Sequence, residues 1–196
     1  NAYCGDVTSD SCKIKGLGKA TIVAREPMIL CGTGLITMIA NAFDARGVVL
    51  SQKVADGTEL QAGESVAILE GPQAEILLIE RTVLNFLQKL SGIASCANRF
   101  VQVVEQFGVG LLDTRKTTPG WRRLEKAAVA TGGAYNHRFG LFDAVLIKDN
   151  HVAEVGSVGE AVRLCRAKVG NDMIVQVEID HLEQLEEALE AGPDIV

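Results

Sequence analysis

Residues 113–151 concentrate the side chains that could do chemistry. The run opens Asp113-Thr-Arg-Lys-Thr-Thr-Pro-Gly120 and closes His137-Arg138-Phe-Gly-Leu-Phe-Asp143-Ala-Val-Leu-Ile-Lys148-Asp149-Asn150-His151. Across residues 115–151 there are seven Lys and Arg (115, 116, 122, 123, 126, 138, 148) and three acids (125, 143, 149), a local net of +4. The whole chain is −6, which leaves −10 for everything else. A small cationic cluster in an acidic protein suits a compact polyanionic ligand. Arg offers a planar fork that grips a carboxylate through two bonds, whereas Lys acts as a point charge on phosphate.

The bulk numbers narrow the class. The chain has 196 residues, 47% hydrophobic and 22% charged, which is ordinary globular composition. A net charge of −6 argues against a nucleic-acid module, which usually presents a basic face. No apolar stretch approaches the roughly 18–20 residues a membrane span needs, so no membrane partner is expected. Five cysteines (4, 12, 31, 96, 165) are odd in number and never spaced Cys-x-x-Cys. They fit a reducing compartment, the cytoplasm, better than a disulfide framework or a zinc site.

The elements that must position the cluster follow from periodicity. Residues 1–15 are polar and turn-rich. Residues 18–26 read as a strand, 35–45 as a helix stopping at Gly47, and 47–54 and 64–70 as strands separated by the Asp56-Gly57 and Ala62-Gly63 turns. Apolar residues at 76, 79, 83, 87, 90, 94, 97 and 101 form a 3.6-period stripe, a long helix weakened at Gly92. Beyond it, short apolar runs at 109–113, 143–147, 173–178 and 193–196 alternate with helical patterns at 121–130, 159–168 and 181–191. This alternation is the signature of a parallel sheet, open or closed into a barrel. The spacing therefore predicts an α/β protein: an N-terminal α+β domain over 1–90, then the first part of an α/β barrel over 91–196. A complete barrel takes about 250 residues, so the sequence reads as truncated in its fourth strand.

On that frame three strands end in charge. The first runs into Thr114, Arg115 and Lys116, the second into Lys148, and the third into Glu178. The carboxyl ends of parallel strands face the ligand site in such folds. Lys148 could be paired structurally, with Asp149 or Glu178 as its partner. His137 could be a core imidazole or a ligand, and the neighbouring Arg138 favours anion binding. His151 and His181 read as structural or surface residues. Arg81 lies about 200° around the long helix from its apolar stripe, a solvent-facing position or one offered to another subunit. No G-x-G-x-x-G follows a strand and no Walker motif is present, so phosphate binding would rest on side chains and helix N-termini.

Taken together the motifs are recognisable. Gly5-Asp6-Val7-Thr8, Glu80-Arg81-Thr82-Val83-Leu84-Asn85, the Asp113–Gly120 and His137–Leu141 segments, Leu146-Ile-Lys-Asp-Asn-His151 and Glu178 occur in the order seen in quinolinate phosphoribosyltransferases, which the chain closely resembles. The resemblance implies an open-faced N-terminal sandwich, a seven-stranded incomplete barrel and a homodimer with shared active sites. It implies the joining of quinolinate to 5-phosphoribosyl 1-diphosphate with Mg²⁺, giving nicotinate mononucleotide, diphosphate and carbon dioxide in NAD biosynthesis. By motif, Arg115, Arg138 and Lys148 would hold quinolinate with His137 nearby, and Arg81 would arrive from the partner subunit. Thr114 and Lys116 would lie along the phosphoribosyl diphosphate, and Glu178 would serve the ribose and metal side. Lys116 and Glu178 carry the catalytic expectation. Rival readings are a related transferase for another acid, a Schiff-base lyase using Lys116 or Lys148, and a non-catalytic phosphate-sensing barrel.

Overall fold

The computed structural model describes residues 5–196. Residues 1–4, with Cys4 and the start of the expected turn-rich segment, lie outside the described residues. The chain divides into two compact units, one running to His137 and the other Arg138–Val196.

The first unit opens on a short helix, α1 (Val7–Ser11), inside the segment expected to be turns. Asp6 makes it possible by accepting from the backbone N–H of Thr8 and Ser9, the usual N-cap arrangement. β1 (Leu17–Val23), β3 (Val49–Lys53) and β5 (Ser65–Pro72) then form an antiparallel sheet in the order β1-β5-β3. Lys19 sits opposite Glu70 in the register and forms a 3.0 Å ion pair with it. A second, two-stranded sheet of β2 (Met28–Ile29) and β4 (Glu59–Leu60) was not apparent from periodicity, since two residues cannot show one.

α2 (Leu35–Ala42) ends before the expected residue 45 because Asp44 turns the backbone into the left-handed region at φ 57°. The loop leading into α2 is tied by the Asp56 carboxylate, which accepts from Gly32 N, Thr33 N and Thr33 Oγ1 at 2.8–3.0 Å. α3 (Gln73–Val104) runs unbroken through Gly92. A helix-interior glycine costs about 1 kcal/mol relative to alanine. Burial of the predicted stripe from Ile76 to Ala97 outweighs that cost. Ile79, Val83 and Leu87 of this stripe join Leu30, Ile36, Val66 and Leu69 in one apolar core. Ser95 Oγ and Ser91 Oγ accept from Ile29 N and Cys31 N, stitching β2 and the residues after it to α3.

α4 (Arg122–Thr131) packs on α3, with Trp121 stacked on Phe86 at 4.9 Å between ring centroids. The contact at the other end of α4 is closer still. A Cβ added at Gly132 would lie 2.3 Å from Ala94 O and 2.9 Å from Ala97 Cβ. Gly132→Ala should therefore push the two helices apart and lower stability by about 1–3 kcal/mol. An unchanged denaturation midpoint in the variant would reject this reading of the packing.

The second unit holds β6 (Val145–Ile147) and β7 (Val175–Val177), paired in parallel. α5 (Asp149–Val155) and α6 (Val158–Val169) connect them, and α7 (Leu185–Ala191) follows a 3-10 turn at Leu182–Gln184. Its core is Ile147, Val158, Val162, Val175, Val177 and Ala188. Among the described residues no helix is long and apolar enough to cross a membrane.

Two expected strands shrink to single parallel bridges. Among the described residues the run at 109–113 pairs only at Leu112 with Tyr135. Gly133 turns at φ 92° just before that point, and Thr114 Oγ1 accepts from Lys116 N just after it, so little extended chain remains to pair. Among the described residues the run at 193–196 pairs only at Ile195 with Gln176. There the Asp194 side chain accepts from Val175 N at 2.7 Å, where a strand would place a backbone carbonyl.

Candidate active site

In the first unit the cationic loop is shaped by α4. Residues 122, 125 and 126 share one face of that helix, being three and four apart. Arg122 Nε donates to Thr117 Oγ1 at 3.2 Å and its Nη2 to Arg115 O at 3.3 Å. Glu125 Oε2 accepts from Thr118 N at 3.1 Å, and its Oε1 lies 3.5 Å from Lys89 Nζ. The hydrogen bond to the Thr118 side chain, then its backbone bond and Lys89, hold the Glu125 carboxyl below its ordinary range despite partial desolvation. Lys126 Nζ donates to Asp113 Oδ1 and, at 2.9 Å, to His137 O.

Asp113 and Lys126 form the buried centre of this arrangement. Their side chains are 8% and 4% exposed. Asp113 Oδ1 also accepts from His137 N at 2.8 Å, and the Asn136 amide reaches Asp113 Oδ2 at 2.8 Å. The +4 counted from sequence therefore overstates what a ligand meets. Lys126 is neutralised inside the protein and Arg122 faces the loop's own backbone. Sequence spacing missed both roles, although the 122/125/126 face was a readable signal.

Arg115, Lys116 and Thr114 lie outside the Asp113–Lys126 pair. Lys116 and Thr114 are exposed and border a cleft of about 380 Å³ whose walls include Lys89, Thr117 and Val129. Arg115 is half-buried, and its Nε is buried without a hydrogen-bond partner among the described residues. A desolvated guanidinium edge with nothing to donate to is costly, which makes it a ready receptor for an anion. Arg81 stands exposed on α3, on the side away from the buried stripe, as its spacing predicted. His137 is half-buried, and its backbone is held at both N and O by the Asp113–Lys126 pair.

In the second unit Lys148 and Glu178 meet at the carboxyl ends of β6 and β7. Lys148 Nζ lies 3.2 Å from both Glu178 oxygens, with the side chains 46% and 47% exposed. Glu178 is thus the ion-pair partner of Lys148. Asp149, the other candidate, instead accepts from Asn150 N in the first turn of α5. The helix starts directly at this strand exit, ahead of the helical pattern expected at 159–168. His151 Nδ1 accepts from Lys148 N at 3.0 Å, fixing the backbone from which Lys148 projects. Arg138 Nη1 donates to Ala144 O at 3.3 Å.

Each unit carries its own group of the expected site residues. The first offers Arg115, Lys116, Thr114 and His137 on one braced loop system. The second offers Lys148, Glu178 and Arg138 around two parallel strand ends. Glu178 is a hard-oxygen donor in a half-exposed position, of the kind Mg²⁺ uses when substrate phosphates and water supply its other ligands.

Comparison with known proteins is consistent along the whole chain. The family model for the quinolinate phosphoribosyl transferase N-terminal domain matches residues 6–91, and that for the C-terminal domain matches residues 93–196. A Bacillus subtilis (strain 168) protein named probable nicotinate-nucleotide pyrophosphorylase (carboxylating) is 44% identical over 192 residues, covering 98% of this chain and 66% of that protein. The solved structure of NadC from Streptococcus pyogenes matches at 40% identity and a TM-score of 0.90, covering 97% of this chain and 68% of that one. The nicotinate-nucleotide pyrophosphorylase from Francisella tularensis matches at 38% identity and a TM-score of 0.92, with the same coverages. The chain thus spans about two thirds of the length of these relatives. With its mixed α/β fold shared with solved members and both domain models matched in order, it belongs to the quinolinate phosphoribosyl transferase family.

Proposed function

We propose that the whole protein joins quinolinate to 5-phosphoribosyl 1-diphosphate and releases nicotinate mononucleotide, diphosphate and carbon dioxide, a step of NAD biosynthesis in the cytoplasm. The observation that carries this reading is the match of both family domains, in order, across residues 6–91 and 93–196. The charges named above support it, since both substrates are polyanions. We place the domain division at residues 90 and 91, near the meeting point of the two family matches, with an open-faced sandwich before it and the first part of a seven-stranded barrel after it.

In this mechanism Arg115, Arg138 and Lys148 hold the two quinolinate carboxylates, with His137 beside them. Thr114 and Lys116 lie along the phosphoribosyl diphosphate, and Lys116 neutralises the leaving diphosphate. As the anomeric bond breaks, the ribose becomes positively charged, and the Glu178 carboxylate stabilises that charge. Glu178 would also offer an oxygen to Mg²⁺, which screens the diphosphate's charge when bound. Once the pyridine nitrogen is ribosylated, the cationic ring stabilises the electron pair left on the ring carbon as the carbon–carboxylate bond breaks and carbon dioxide leaves, and a proton from water then takes the carboxylate's place on that carbon.

The test is diphosphate and carbon dioxide release by the whole protein, with quinolinate and then with nicotinate. Both products from quinolinate alone are expected. Release of diphosphate with nicotinate, or with neither acid, would replace this reading by a related transferase or a non-catalytic one.

Arg81 completes the proposed site from the partner subunit of a homodimer. Mixing Arg81→Ala subunits with Lys116→Ala subunits should then recover activity, because each mixed dimer holds one site with both residues intact. No recovery in verified mixed dimers would argue against a shared site.

A further inference from the structure

We infer that the face of α4 formed by Arg122, Glu125 and Lys126 is a template that sets the geometry of the substrate loop, with Lys126 and Asp113 as its principal positioning residues. This inference rests on the proposed reaction with quinolinate. None of the three helix residues needs to touch substrate for it to hold. The four bonds from this face reach successive points of the 113–118 loop: Asp113 Oδ1, Arg115 O, Thr117 Oγ1 and Thr118 N. The loop has almost no ladder to hold it, since among the described residues the strand pairing next to it is the single Leu112–Tyr135 bridge. A helix face therefore replaces a sheet as the source of its shape.

The Asp113–Lys126 pair does more than shape one loop. Asp113 Oδ1 takes His137 N, and Lys126 Nζ takes His137 O. Both polar groups of one backbone residue are bound by the two members of one buried ion pair. The segment carrying His137 is thereby locked in register against the segment carrying Arg115. Burying this pair is expensive unless its remaining hydrogen-bonding capacity is filled, and the His137 backbone and Asn136 amide fill it. Misplacement of a binding group by about 1 Å can cost on the order of 10²-fold in rate, so a brace of this kind has catalytic consequences at a distance.

The decisive variant is Asp113→Asn/Lys126→Met in the whole protein, because it removes both buried charges together and leaves none uncompensated. Asn at 113 still accepts from His137 N, while the bonds from Lys126 are gone. Two readouts are taken on protein with a cooperative unfolding transition. Amide hydrogen exchange over residues 113–118 and 135–137 should accelerate, and the quinolinate KM should rise by at least about tenfold with a smaller change in kcat. A folded double variant with unchanged exchange, or with unchanged quinolinate KM, would overturn the template. If the unmodified protein fails to turn over quinolinate, the proposed reaction falls instead. The exchange rates then still decide whether α4 shapes the loop. Lys126→Met alone serves as the comparison: its isolated Asp113 charge should lower the unfolding temperature more than the double variant does.

Discussion

Replacing Arg115 with alanine should raise the quinolinate KM by about 10²-fold while leaving the protein folded. The size follows from the environment of the guanidinium. Its Nε is buried and has no hydrogen-bond partner among the described residues, so an incoming carboxylate would meet a donor already stripped of water. Truncating one member of a buried, hydrogen-bonded charge pair typically costs about 2–5 kcal/mol, and each 1.4 kcal/mol is roughly tenfold in affinity. The folded state should lose little, since among the described residues the Arg115 side chain makes no hydrogen bond and Arg122 and Thr117 bind its backbone carbonyl. Arg115→Lys should not restore affinity, because an ammonium cannot supply the planar two-bond fork. Titration of the folded variants with quinolinate checks both statements, and an affinity within twofold of the unmodified protein would reject Arg115 as a carboxylate receptor. The same experiment on Arg138 is expected to give the same direction. Its Nη1 already donates to Ala144 O, so some backbone rearrangement around residues 138–144 should accompany the loss.

The long elements were legible in the sequence because their periodicity is strong. The α3 stripe from 76 to 97 is buried as expected, and the antiparallel strands of the first unit lie close to their predicted spans. Short elements were not legible. β2 and β4 are two residues each, and α1 and α5 are held by local caps from Asp6 and His151 rather than by an apolar pattern. The runs at 109–113 and 193–196 had the right composition for strands. Their pairing was limited by a turn and by an Asp194 side chain that competes with the backbone, effects invisible to apolar spacing. For the site, residue type pointed to a polyanion, but charge counting could not tell an exposed cation from a structurally paired one. Lys126 and Arg122 were separated from Lys116 only by knowing what each one faces.

Glu178→Gln should lower kcat by about 10²–10³-fold, the usual scale for removing one preorganised group that stabilises transition-state charge. Stability should change by less than about 1 kcal/mol, because the pair it makes with Lys148 is half-exposed and such pairs are weak. The division between kcat and KM tests what Glu178 does. A carboxylate that acts on positive charge present only at the breaking anomeric bond leaves ground-state binding nearly intact, so kcat and kcat/KM fall together. If Glu178 served only to anchor Lys148, the variant would instead raise the quinolinate KM and spare kcat, since Gln cannot hold the ammonium with the same force. Lys148→Met provides the complementary measurement. It removes the cation and leaves the carboxylate, so it should raise the quinolinate KM with a smaller loss of kcat. Opposite signatures from two residues that touch at 3.2 Å would assign them to different substrates. Identical signatures would reduce the pair to a structural clasp between the ends of β6 and β7.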